Sequence, residues 1–331
     1  MSIAKGNYIP GFDWFRIIGS ILVVATHLSF FRYFLDNMNT AYKVLSEGIP
    51  VFFIISGYLA GRQFSKKRIF GQIIRYGIPY LVIVSGVQVL SFIRVYMKTG
   101  EAHFQDLITN ILCCFMTVHT GYIVALWFIR VLIFAFLLNI WMTPNIRKIA
   151  IILLIVLRTI FVFLGADTMT AESTGLLERF SLWGRVLEAE DVYRGLNHFL
   201  TGLLFTTVGF DITTWKAKPI HMLIVGLLFA MFEVFVCYLN IAVVFLSIAL
   251  FYGIKELPGQ FLRPFHMEIS LFSVFMYFLH MFEKGAFYRC GVKNRVISFA
   301  LIIITNALLT FLTAYVIKNR GKRVSIARGA V

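Results

Sequence analysis

Residues 12–28 read Phe-Asp-Trp-Phe-Arg-Ile-Ile-Gly-Ser-Ile-Leu-Val-Val-Ala-Thr-His-Leu. The run from Ile17 to Leu28 has the apolar make-up of a bilayer helix, yet the segment carries Asp13, Arg16 and His27. Ionisable groups are costly in hydrocarbon and turn toward a bundle interior or a water-filled cavity, where they mark function. Arg16 and His27 are eleven residues apart, three turns plus about 20°, so the two side chains share one helix face about 16 Å apart along the axis. Asp13 precedes Arg16 by three residues and is placed to pair with it across one turn. The pattern sets a fixed cation at one end of a face and an imidazole at the other. That layout suits gripping a long anionic molecule by its charged end and reacting at its far end.

The whole chain agrees with a membrane setting. Of its 331 residues 59% are hydrophobic and only 14% charged, against about 25% charged in soluble domains. Mean hydropathy is +0.83. The net charge of +15 does not imply nucleic acid, because no basic surface domain is present to hold it. Lys and Arg cluster instead in short gaps between apolar runs, as the positive-inside rule expects. The four cysteines, Cys113, Cys114, Cys237 and Cys290, have no metal or disulfide spacing and read as core thiols. The seven histidines include no i,i+4 pair, so no metal site is expected. Lys5 leads into the first apolar run without a small-residue cleavage site, which reads as an uncleaved first span.

Stretches of about 17–25 mostly apolar residues are candidate spans. They fall near 12–32, 48–64, 72–97, 121–141, 148–165, 196–212, 219–239, 240–255, 267–284 and 295–317. The expected fold is an all-α, polytopic bundle of about ten transmembrane helices, one integral-membrane domain over 1–331 with a basic tail at 318–331. The cationic gaps (Arg62 to Arg75, Arg147 and Lys148, Lys216 and Lys218, the tail after Lys318) share one side if the count is ten, which favours N-in and C-in. The stretch 104–118 is apolar but short and holds Asp106, with His119 just beyond it, which fits an interfacial or re-entrant helix or half of a broken span. The longest outer connection, 166–195, mixes charge with Trp183 and Tyr193 and would suit a carbohydrate. Among intramembrane charges, Arg130 needs a partner or ligand, and Arg158 and Glu233 are candidates to pair.

Further along, Phe52-Phe53-Ile54-Ile55-Ser56-Gly57-Tyr58-Leu59 places small residues in an aromatic run, a pattern that admits a close helix or a narrow ligand. Arg75 precedes Pro79-Tyr80, Leu126-Trp127-Phe128 opens another apolar run, and Ser273-Val274-Phe275-Met276-Tyr277-Phe278-Leu279-His280 lies in the ninth. With the Arg16-x10-His27 spacing, and in this order, these pieces resemble the acyltransferase-3 family of membrane acyltransferases. The resemblance implies a ten-helix enzyme of the cell's inner (plasma) membrane. It would take an acyl group, usually acetyl, from cytoplasmic acyl-coenzyme A as cosubstrate, with no permanently bound cofactor. Its acceptor would be a hydroxyl of a cell-surface glycan or lipid-linked sugar. His27 would be the essential catalytic residue and Arg16, paired with Asp13, part of the donor site. Arg68, Arg75, Ser56, Tyr58 and Arg130 are the further donor candidates. Trp127, His280 and Glu283 are the acceptor candidates.

The residue chemistry fits that reading. A thioester is already activated, so transfer needs a base for the hydroxyl and stabilisation of the oxyanion. A neutral imidazole suits the first task. An arginine fork suits phosphates. Direct transfer and an acyl-histidine relay are both open at this level. The alternative class is a secondary transporter or flippase using Arg16 and His27 as anion and proton sites; the paired broken helices common in transporters are not visible in the sequence. The topology is tested by labelling: with Lys67→Cys and Arg185→Cys in separate single variants, an impermeant thiol reagent is expected to reach them from opposite sides of the membrane. Labelling from one side would overturn it.

Overall fold

The computed structural model describes residues 8–28, 48–62, 64–101, 103–105, 107–108, 111, 127–168, 181–182, 185–186, 189–215, 218–235 and 241–329. They form ten α-helices. In chain order these are α1 Pro10–His27, α2 Gly48–Gly61, α3 Lys66–Thr99, α4 Trp127–Trp141, α5 Pro144–Thr168, α6 Ala189–Asp211, α7 Pro219–Phe235, α8 Ile241–Lys255, α9 His266–Arg289 and α10 Arg295–Gly329. Each overlaps one of the ten expected spans. Several run further, because hydropathy reads only the apolar part while the backbone bonding continues through polar ends. α3 begins at Lys66, before the apolar run, and α10 carries the basic tail to Gly329.

Three helical segments, Lys66–Thr99, Gln260–Arg289 and Arg295–Asn319, are long and apolar enough to cross a membrane, and four shorter apolar helices accompany them. Large apolar side chains face outward along them: Leu90, Leu228 and Phe311 are each more than 60% exposed. Outward apolar surface on this scale requires lipid rather than water as the surrounding solvent. Within the expected outer connection the described residues include a two-residue antiparallel pair, Ser181–Leu182 with Arg185–Val186; Trp183 and the side chains of 181–195 lie outside the described residues. So do most of 104–118 and the Glu233 side chain. Arg158 donates from Nε to Thr201 Oγ1 at 3.1 Å, a bond that joins α5 to α6. Cys290 departs from expectation: it is exposed at the end of α9, where the chain turns at Gly291, and is no core thiol.

The chain divides into two compact units, residues 1–49 with 250–331, and residues 50–249. In the second, α6 packs against α4 and α5, and α3 against α4. α2 meets α6 with no side chain between them. A Cβ on Gly57 would fall inside the van der Waals shell of the Thr206 carbonyl, and one on Gly209 inside that of the Ile54 carbonyl. The reciprocal fit is the small-residue packing that lets membrane helices associate without a hydrophobic driving force. Around it Phe53 packs against Phe128, the rings tilted by 41° with centroids 4.3 Å apart. In the first unit α9 packs on both α1 and α10, over a core of Val24, Leu28, Met276 and Ile302.

The glycine contact yields a paired test. Gly57→Ala is expected to cost about 1–3 kcal/mol through overpacking, read as a lower unfolding temperature in detergent. Gly71→Ala meets nothing within 4 Å and is expected to stabilise α3 by up to about 1 kcal/mol through helix propensity. Equal effects would contradict the packing.

Candidate functional site

α1 and α9 run parallel and in register. Asp13 faces His266, Ser20 faces Ser273 and His27 faces His280, so matched polar pairs recur every seven residues on both helices. A seven-residue step keeps one seam of two parallel helices in contact along its length. The apolar residues of that seam, Val24 and Met276 among them, are fully buried.

At the first level, Asp13 is fully buried and accepts three hydrogen bonds. The Tyr8 hydroxyl lies at 2.9 Å, Arg16 Nη1 at 2.6 Å and His266 Nδ1 at 2.7 Å. Burial, reinforced by the bond to Asp13, pushes the Tyr8 hydroxyl up from its ordinary value, so it remains a donor. The entry to α1 is fixed by Trp14, whose Nε1 donates to the Pro258 carbonyl at 2.9 Å. It is fixed also by Gly11, where any Cβ would collide with the Ile254 carbonyl. One carboxylate thus orients an arginine and an imidazole. With Nδ1 on Asp13, His266 presents Nε2 away from it, and Arg16 keeps nitrogens beyond the one that Asp13 engages. A guanidinium held in this way is suited to phosphate or carboxylate.

At the third level, His27 ends α1 with its ring 5.1 Å from that of His280, the planes tilted by 32°. His280 Nδ1 lies 2.6 Å from the Met276 carbonyl. A carbonyl only accepts, so Nδ1 carries the proton and Nε2 the lone pair. That Nε2 is buried and has no partner among the described residues. Lys284 Nζ donates to the His27 carbonyl at 2.9 Å, capping the end of α1 with a cation. Glu283 points elsewhere: its two oxygens accept from Thr305 at 2.7 Å and Asn306 at 2.6 Å, tying α9 to α10. Three residues leave the two side chains about 60° apart around the helix, so they start from one side of α9, as the spacing predicts, but His280 turns to α1 and Glu283 to α10.

Arg16 and His27 share a face, as the spacing requires, but the strip between them is covered. Gly19, Ser20 and Val23 are buried, and Ser20 Oγ lies 2.8 Å from Ser273 Oγ.

The remaining candidates sit in the second unit. Arg68 and Arg75 are exposed on α3. Ser56 returns its hydroxyl to the Phe52 carbonyl of its own helix at 2.7 Å, while Tyr58 and Arg130 are buried. Trp127 is buried too, with His198 stacked on its ring at 4.1 Å, so that face is not open to a sugar. Sequence reasoning had missed Tyr8, His198, His266 and Lys284. For His266 a signal existed, since 266, 273 and 280 repeat the spacing of 13, 20 and 27.

With this geometry in hand, comparison places the chain. The profile of the acyltransferase domain, Acyl_transf_3, matches residues 9–318. Among curated proteins and solved structures none matches it. The match covers nearly the whole chain, which belongs to the acyltransferase-3 family and is a membrane acyltransferase.

Asp13→Ala removes the acceptor shared by Tyr8, Arg16 and His266. Breaking a buried charge pair costs about 3–5 kcal/mol; with Arg16 and His266 partly exposed, about 3 kcal/mol is expected, as a lower unfolding midpoint. An unchanged midpoint would remove Asp13 as the organiser of this cluster.

Proposed function

We propose that this member of the acyltransferase-3 family is an O-acyltransferase of the cell's inner membrane, oriented N-in and C-in. In this reading it moves an acyl group, acetyl first among them, from cytoplasmic acyl-coenzyme A to a hydroxyl of a cell-surface polysaccharide or lipid-linked sugar. The observation that carries the proposal is the family match over residues 9–318, which contains Arg16 and His27 on one face of α1. It also favours an enzyme over a transporter.

Arg16, oriented by Asp13, takes the donor's phosphates, and His266 joins it. His280 is assigned to the acceptor side; Trp127, whose ring is taken by His198, is not, and Glu283, held by α10, braces α9. His27 is the general base. It accepts the proton of the acceptor hydroxyl as that oxygen attacks the thioester carbonyl. The tetrahedral intermediate collapses with cleavage of the carbon–sulfur bond, and the thiolate leaves and takes the proton from His27. Products are the ester and free coenzyme A. The distance from Arg16 to His27, about 16 Å along the axis, suits a slender pantetheine arm. Because the strip between them is covered, admitting that arm requires the middle of α1 to be uncovered.

The test is mass spectrometry of surface glycans from cells with and without the protein, searching for the mass of one acyl group. His27→Ala is expected to lower transfer by at least about a hundredfold, the scale of a lost general base, while coenzyme A binding persists. Acylation retained in that variant would remove His27 from the mechanism, and glycans unchanged by loss of the protein would remove this acceptor class.

A further inference from the structure

Between α9 and α10, a groove of about 430 Å³ is lined by Glu268, Phe311, Leu312, Ala314, Tyr315 and Lys318. Ala314, buried and small, forms its floor, and Phe311, Leu312 and Tyr315 are exposed walls. The acid at its end is unusual. Glu268 is 9% exposed; its Oε1 accepts from Lys318 Nζ. Oε2 is buried without a partner among the described residues. A carboxylate accepts through both oxygens, and leaving one buried and unpaired is costly. Lys318 is more than half exposed and reaches outward from the same place.

We propose that this groove binds a zwitterionic lipid carrying a primary ammonium, with the ammonium on Glu268 Oε2, the phosphate on Lys318 and an acyl chain along Phe311 and Leu312. The charge order decides the occupant. An anionic headgroup without an amine would engage Lys318 and leave Glu268 Oε2 without a donor. A choline headgroup has the charge but no N–H to donate. A phosphatidylethanolamine-type lipid supplies three ammonium donors and a phosphate two carbons away, matching an acid beside a lysine. Tyr315 and Lys318 are residue types that settle at the membrane–water boundary, where such a headgroup lies. This site is independent of the transferase reading.

The experiment is native mass spectrometry of the full-length protein released from nanodiscs holding equal amounts of phosphatidylethanolamine, phosphatidylcholine and phosphatidylglycerol. Retention of phosphatidylethanolamine over phosphatidylcholine is expected at about tenfold, the scale of one charge-assisted hydrogen bond. Glu268→Gln is expected to abolish that preference. Leu312→Trp, at an exposed position on the groove wall, is expected to reduce it with the Glu268–Lys318 pair intact; it also serves as the test if Glu268→Gln does not fold. Equal retention of the two zwitterionic lipids, preference for phosphatidylglycerol, or a preference unaltered by both variants would overturn the proposal.

Discussion

The register between α1 and α9 is the constraint on which the candidate site depends. Polar pairs at Asp13–His266, Ser20–Ser273 and His27–His280 occupy successive sevens on two parallel helices. In hydrocarbon a polar group without a partner costs several kcal/mol, so a slip of one residue would expose all three levels at once. The pairs therefore specify alignment where apolar packing alone would tolerate neighbouring registers. The same alignment puts Asp13 with its two basic partners at one end of the seam and two imidazoles at the other.

The two ends differ in how fully their polar groups are partnered. The Asp13 cluster is rigid: a buried acid is saturated by a phenol, a guanidinium and an imidazole, and its backbone is held by the Trp14 indole and the close approach at Gly11. Rigid orientation of a guanidinium is what anion recognition needs. The His27 end is less saturated. His280 is fixed by the Met276 carbonyl, yet its Nε2 has no partner, and Lys284 brings a cation to the last turn of α1. Among the described residues that leaves one buried lone pair, His280 Nε2, without a donor at this end. In the other unit the glycine contact between α2 and α6 is fully packed, which assigns Gly57 to assembly.

Much of this was legible in the sequence, for identifiable reasons. Hydropathy located the ten helices of the described residues because a bilayer helix must be apolar over most of its length, and it mistook the ends because polar residues extend a helix without altering its bonding. The Arg16–His27 face followed from helical period alone. The pairing of Asp13 with His266 did not, since it joins residues 253 apart, and a single chain carries no direct record of which helices meet. Periodicity at 266, 273 and 280 was the available clue. Covering of the strip at Gly19, Ser20 and Val23 was beyond reach for the same reason, as was the division of labour between His280 and Glu283. Cys290 read as a core thiol because its spacing offered neither a metal site nor a disulfide, but Gly291 at φ 88° ends the helix there and leaves it exposed.

Disulfide trapping tests the parallel, in-register seam most directly. Ser20 and Ser273 bring their hydroxyl oxygens to 2.8 Å. With cysteines at both positions and the native cysteines replaced, mild oxidation is expected to cross-link 20 to 273 in high yield. Cysteine pairs displaced by one heptad, 20 with 266 and 20 with 280, are expected to stay reduced. Equal cross-linking at a displaced pair, or none between 20 and 273, would contradict the arrangement of α1 and α9 described above.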